Sequence, residues 1–161
     1  MDRPLGEKVF AGGGDRGAED AWYALAVQTE ANHANGTEFT GGAVDIAKCF
    51  DQISRPLLAK LARLAGIPER ILEPYLRYQD QLKVLNTVAR GLGQPYFKKC
   101  GIPQGCPMSM LYIALIMRPW TCLVKQMNAE PKALADDLLI LARGTQHTRN
   151  FVNAIVATHS Y

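Results

Sequence analysis

Short apolar runs, each closed or interrupted by acidic residues and punctuated by glycine and proline, organise this chain. The most pronounced is Lys132-Ala133-Leu134-Ala135-Asp136-Asp137-Leu138-Leu139-Ile140-Leu141, with two adjacent carboxylates at its centre. Charged side chains almost never enter a core unpaired, so two of them in such a run call for a cation or an exposed tip. A third carboxylate has a similar setting. Asp45 follows Gly41-Gly42-Ala43-Val44 and precedes Ile46-Ala47-Lys48-Cys49-Phe50-Asp51, which places it at the end of a short predicted strand. Acids on the tips of separate strands suit a site for two hard divalent cations.

Around these runs the pattern alternates helices and turns. Residues 18–28 read as a helix with Trp22, Leu25 and Ala26 on one face, and residues 32–40 as a polar connection into the Asp45 strand. The helix follows Gly12-Gly13-Gly14-Asp15-Arg16-Gly17, whose spacing matches neither the P-loop nor the dinucleotide fingerprint and reads as a turn. Ser54 can cap a helix that tolerates Pro56 in its first turn and closes at Gly66, with Leu57, Leu61 and Leu64 lined up toward a core. Pro68 opens a second helix, in which Pro74 forfeits a backbone bond. Residues 83–89 and 96–100 are expected to pair as a hairpin around the glycine-rich turn 90–94. Gly101-Ile102-Pro103-Gln104-Gly105-Cys106-Pro107 excludes regular structure and leaves backbone amides available to a ligand. A helix is predicted from Ser109 to about Gln126, bent at Pro119, and another after Thr145 with Phe151, Ile155 and Val156 on its apolar side.

Composition narrows the function classes only a little. With 161 residues, 48% hydrophobic and 20% charged, the chain suits one globular domain of mixed structure. A net charge of +3 is compatible with phosphate-bearing partners without singling them out. Cys49, Cys100, Cys106 and Cys122 have no Cys-x-x-Cys spacing and no histidines at zinc-finger intervals, which favours free thiols in a reducing, intracellular compartment, nucleus or cytoplasm, over a zinc site. The start lacks a signal-peptide pattern, and the longest apolar stretch, Met108 to Met117, is far shorter than the roughly 20 residues a bilayer span needs. No membrane association is expected, and no repeat or linker divides the chain.

Three segments together resemble a known family. Asp45-Ile46-Ala47-Lys48-Cys49-Phe50-Asp51-Gln52-Ile53, Gly101-Ile102-Pro103-Gln104-Gly105-Cys106-Pro107-Met108-Ser109 and Leu134-Ala135-Asp136-Asp137 resemble motifs A, B and C of reverse transcriptases, in the same order. Within that superfamily the chain is most similar to the non-LTR retrotransposon and group II intron enzymes. The resemblance runs from about Phe10, where a glycine- and arginine-containing segment precedes motif A, to Ile155. It implies an α+β fold, a polymerase palm-like antiparallel sheet packed against helices, with motif A on one strand and motif C at the tip of a neighbouring hairpin.

The resemblance also implies roles. Asp45 and Asp136 would hold two Mg2+ ions, with Mn2+ as a substitute; the backbone carbonyl of Ile46 would assist, and Asp137 would complete or tune the site. Phe50 would pack under the incoming sugar and exclude a 2′-hydroxyl. Gln104 and Gly105 would line the nucleotide and template cleft, whereas Asp51 reads as structural. The substrates implied are an RNA template, a DNA primer and deoxynucleoside triphosphates. Leu134 departs from the family, which often has an aromatic residue there. A complete fingers region and a thumb are not recognisable, so the whole chain, residues 1–161, reads as the end of the fingers plus the palm of a longer parent. Two alternatives stand beside the polymerase: an inactive retroelement remnant that at most binds nucleic acid, and an RNA-directed RNA polymerase, against which the bulk of Phe50 argues.

Overall fold

A computed structural model of the chain describes residues 17–161. The triple glycine and most of the segment that precedes motif A lie outside the described residues. In chain order the elements are α1 (Ala18–Ala34), β1 (Phe39–Asp45), α2 (Cys49–Gln52), α3 (Arg55–Leu64), α4 (Glu69–Gln81), β2 (Lys83–Val84), β3 (Thr87–Val88), β4 (Gly91–Leu92), β5 (Tyr96–Phe97), α5 (Ser109–Gln126), β6 (Ala129–Leu134), β7 (Asp137–Arg143) and α6 (His147–His159). They group into two compact units, one built from residues up to Ala47 together with 110–161, the other from residues 48–109. No helix among the described residues is long and apolar enough to cross a membrane.

The first unit carries a three-stranded antiparallel sheet in the order β1-β7-β6. The central strand, β7, is apolar at Leu138, Ile140, Leu141 and Ala142, all buried, as a strand covered on both faces requires. Opposed and alternate residues fix the two faces. Gly42 opposes Ile140, and α6 covers that face so closely that a Cβ at Gly42 would lie 2.9 Å from the Phe151 ring. Tyr112, Ile113, Met117, Trp120 and Val124 of α5 are buried, and the Trp120 indole donates to Thr158 Oγ1 of α6 at 3.0 Å. The expected mixture of helices and an antiparallel sheet is therefore what forms.

One helix face in this unit differs from the prediction. α1 runs six residues beyond Gln28, to Ala34, and buries Ala21 and Asn32, while Trp22 is 61% exposed. Its apolar residues are spread around the axis, so no stripe in the sequence marks the inward side. At its start the Asp20 carboxylate accepts the Gly17 amide at 2.8 Å, satisfying one of the orphan donors of the first turn.

The second unit packs α3 on α4. Pro56 stands in the first turn of α3, and Gly66 just past its end takes φ +81°, both as the sequence implied. The buried face is displaced by one position: Leu58, Ala59 and Ala62 are inside, whereas Leu57 and Leu64 are exposed. The run Leu57-Leu58 offers two interleaved apolar stripes, and the alanines allow the closer approach. The hairpin is also shifted. β2 pairs with β5 and β3 with β4, and the reversal occurs at Ala89 and Arg90, both with positive φ (48° and 67°), the pattern of a type I′ turn. Gly91 belongs to β4 instead of to the turn.

Candidate functional site

The three predicted acids all fall at one end of the sheet. β6 and β7 are joined by a two-residue turn, Ala135-Asp136, closed by the opposed pair Leu134 and Asp137. Ala135 takes φ +56°, a left-handed conformation costly for a residue with a Cβ. On the other side of β7, Asp45 ends β1 directly opposite Asp137. Two carboxylates in this relation repel, and a cation between them relieves the repulsion. Asp136 sits on the turn itself, and Ile46, half-buried, follows β1 directly. Among the described residues, no three His, Cys, Asp or Glu side chains converge closely enough to enclose an ion. The geometry supplies a facing pair, Asp45 and Asp137, with Asp136 beside it.

The pair shares its face with Ala43, Leu139, Leu134 and Lys132, by alternation along the three strands. A cavity of about 230 Å³ opens there, lined by Asp45 and Asp137 together with Lys132, Leu134, Leu139 and Trp22 of α1. Lys132 is only 4% exposed, and its ammonium donates to Gln28 Oε1 at 2.8 Å. Gln28 in turn donates to Glu130, which also pairs with Arg143. This polar chain holds α1 against the carboxylate face.

In the second unit, Phe50 lies on α2 and is half-buried. Its carbonyl accepts the Ile102 amide at 2.8 Å, and the Ile53 carbonyl accepts the Gly101 amide at 2.8 Å. These two bonds fasten the glycine-proline loop to the second half of motif A. Arg55, buried, adds a third tie: Nε donates to the Gly101 carbonyl at 3.1 Å and a terminal nitrogen to Asp80 at 3.0 Å. Gly101 takes φ +83°, and a Cβ there would stand 2.8 Å from the carbonyl oxygens of Phe50 and Asp51. Gln104 and Gly105 form the exposed turn of the loop, and Gln104 joins Asp51, Arg55, Gln79 and Lys98 in lining a cavity of about 330 Å³. Gly105, at φ +79°, has open space where a Cβ would stand. Lys98 Nζ donates to the Asp51 carboxylate at 2.6 Å, holding Asp51 below the usual carboxylate range and Lys98 above the usual lysine range.

A sequence profile of the reverse transcriptase (RNA-dependent DNA polymerase) family matches residues 15–160. The chain belongs to the reverse transcriptase family. No curated protein matches it at a significant level. In fold it is similar to apo telomerase from Candida tropicalis truncated from its C-terminal domain, with a TM-score of 0.61 at 13% identity. That similarity covers 86% of this chain, and the chain spans 31% of the telomerase chain.

For this reverse transcriptase domain, sequence reasoning singled out the acids but not their surroundings. Lys132 and Trp22 line the carboxylate cavity and had no role assigned. Lys132 carried a signal, being two residues from Leu134 and therefore on the face of the Asp137 carboxylate. Trp22 carried none, because the pattern of α1 assigned it to the core. Arg55 likewise had no role assigned, and its bond to the Gly101 carbonyl braces the motif B loop.

Proposed function

We propose that this reverse transcriptase domain is the catalytic-core part, residues 1–161, of a retroelement RNA-directed DNA polymerase, which adds deoxynucleotides to a primer 3′-hydroxyl on an RNA template. The observation that carries the reading is the facing of Asp45 and Asp137 across β1 and β7, with Asp136 on the adjoining turn. Hard carboxylate oxygens, few in number, suit Mg2+, which keeps several waters and takes the rest of its shell from substrate phosphates. Asp45, Asp136 and Asp137, with the Ile46 carbonyl, would hold two such ions or Mn2+ in their place. When bound, they would ease deprotonation of the attacking hydroxyl and neutralise the departing pyrophosphate.

The remaining roles belong to the chain itself. The left-handed Ala135 fixes the turn and so presents Asp136. Phe50 supplies the bulk that disfavours a 2′-hydroxyl, and Gly105 leaves its Cβ space to template or nucleotide, with Gln104 beside it. Primer extension on an RNA template with Mg2+, by the polypeptide that carries this domain, is the test. Template-directed incorporation abolished by Asp136→Ala supports the reading; extension unaffected by that change refutes it. Comparing deoxy- and ribonucleotides in the same assay separates the RNA-polymerase alternative: a wild type that prefers ribonucleotides contradicts the role given to Phe50, and Phe50→Ala is expected to admit them.

A second reading, a remnant that binds nucleic acid without polymerising, is favoured by one observation: no three acids among the described residues enclose an ion position. Salt-dependent RNA binding with no incorporation in that assay would establish it.

A further inference from the structure

From Gln81 to Ala129 the sequence contains no Asp or Glu, and the hairpin formed by β2 to β5 lies inside that stretch. Its cations are Lys83, Arg90, Lys98 and Lys99. Lys98 is engaged with Asp51. Lys83, Arg90 and Lys99 are exposed and have no carboxylate partner among the described residues.

The register sorts these side chains. Lys83 opposes Phe97, and Val84 opposes Tyr96. Opposed residues share a face and successive residues change face. Val84 and Lys98 line the 330 Å³ cavity, so Lys83 and Phe97 occupy the face turned away from it. Lys99 follows Phe97 by two residues. Phe97 is 54% exposed, and beyond it Val88 and Leu92 are more exposed still. The result is an uncovered aromatic ring with an unpaired lysine across the strand pair from it and another two residues on.

Charge decides what such a face can receive. An apolar or basic partner would leave three cations unanswered, whereas a polyanion with flat apolar faces satisfies both features at once. That is the chemistry of an unpaired nucleic-acid strand: stacking on exposed aromatics and neutralisation of phosphates by nearby cations. A duplex hides its base faces and fits less well. We propose that Phe97, with Lys83 and Lys99, is a platform for single-stranded polynucleotide, one base stacking on Phe97 and the adjoining phosphates meeting the two lysines, with Arg90 at the hairpin reversal adding to the positive charge of the hairpin. The proposal rests on the polymerase reading only in taking that strand to be the unpaired template.

The experiment is fluorescence anisotropy with the full chain and labelled oligouridine RNA, oligothymidine DNA and a matched duplex of about 12 nucleotides, without metal or triphosphate. Phe97→Ala is expected to weaken single-strand binding by about ten-fold, and Phe97→Trp to preserve it. The double substitution Lys83→Gln, Lys99→Gln is expected to lower the slope of log affinity against log salt by about 1.4, roughly 0.7 for each phosphate contact. A larger loss with RNA or with DNA identifies the strand. No binding by the wild type overturns the proposal, as does Phe97→Ala binding within two-fold of wild type together with an unchanged salt slope in the double variant; the face would then belong to a protein partner. Circular dichroism checks folding, and Phe97→Trp with the lysine pair keeps the test decisive if Phe97→Ala does not fold. Because no nucleotide is incorporated, a chain that binds in this way and never polymerises upholds this proposal while refuting the polymerase.

Discussion

Replacing Gly101 by alanine tests the fit between the motif B loop and the second half of motif A. Two costs combine at this position. The backbone sits at φ +83°, where a Cβ costs roughly 1–2 kcal/mol. The same Cβ would also meet the Phe50 and Asp51 carbonyl oxygens at 2.8 Å and the Asp51 Cα at 2.9 Å. Those atoms are backbone and cannot swing aside as a side-chain tip would, so overpacking adds about 1–3 kcal/mol. Gly101→Ala should therefore lose about 2–5 kcal/mol, a large share of the roughly 5–15 kcal/mol typical of a domain. Gly105→Ala is the matched control. Its φ of +79° carries the same conformational cost, but nothing lies within 4 Å of the added Cβ. Urea unfolding of both variants reads the difference: Gly105→Ala should lose only about 1–2 kcal/mol. Equal losses for the two variants would refute the steric part of the reasoning, and no loss at Gly101 would refute all of it.

Ala135 takes φ +56°, so Ala135→Gly should be neutral or more stable by up to about 1 kcal/mol, the reverse of the usual effect of glycine next to a strand, and Ala135→Val should be destabilising; urea midpoints check both. Asp45→Asn should raise the melting temperature in low salt, because it removes one of two facing negative charges, while abolishing primer extension; the stability gain should shrink as salt is added. The Asp51–Lys98 pair predicts a stability contribution with two edges. The lowered Asp51 contributes above its unfolded pKa, and that contribution is lost as pH falls through its folded value; the raised Lys98 contributes below its unfolded pKa, and that is lost as pH rises through its folded value. The melting-temperature gap between wild type and Lys98→Gln should accordingly be widest near neutrality and close toward both extremes, and a gap independent of pH would contradict the pairing.

The parts of the fold legible in the sequence were those with strong local punctuation. α5 forms over Ser109–Gln126, following a loop with two prolines and two glycines that no helix can enter. β1 ends at Asp45 and β7 begins at Asp137 because apolar runs meet carboxylates there, and these boundaries bring the motif A and motif C acids together. Burial was harder to read where two helical stripes competed, as at Leu57 and Leu58, or where a helix had none, as in α1. The hairpin reversal fell at Ala89-Arg90 rather than in the glycine-rich stretch because strand pairing, not residue preference, selected the left-handed positions. In the candidate site, types and order of the acids were readable, but which of them face each other was a matter of register. β7 opposes Asp137 to Asp45 and leaves Asp136 on the turn. Lys132 and Arg55 depend on contacts 25 to 104 residues away in the chain, and no local pattern encodes those.

The central claim is that the strand ends bearing Asp45 and Asp137, with the Asp136 turn between β6 and β7, bind divalent cations. Mn2+, a paramagnetic substitute for Mg2+, can be titrated into isotopically labelled protein and amide resonance broadening followed residue by residue. Broadening centred on residues 45–46 and 134–138, abolished by Asp45→Asn combined with Asp137→Asn and displaced by excess Mg2+, is the predicted result. Broadening centred elsewhere, or unchanged in the double variant, would contradict the account.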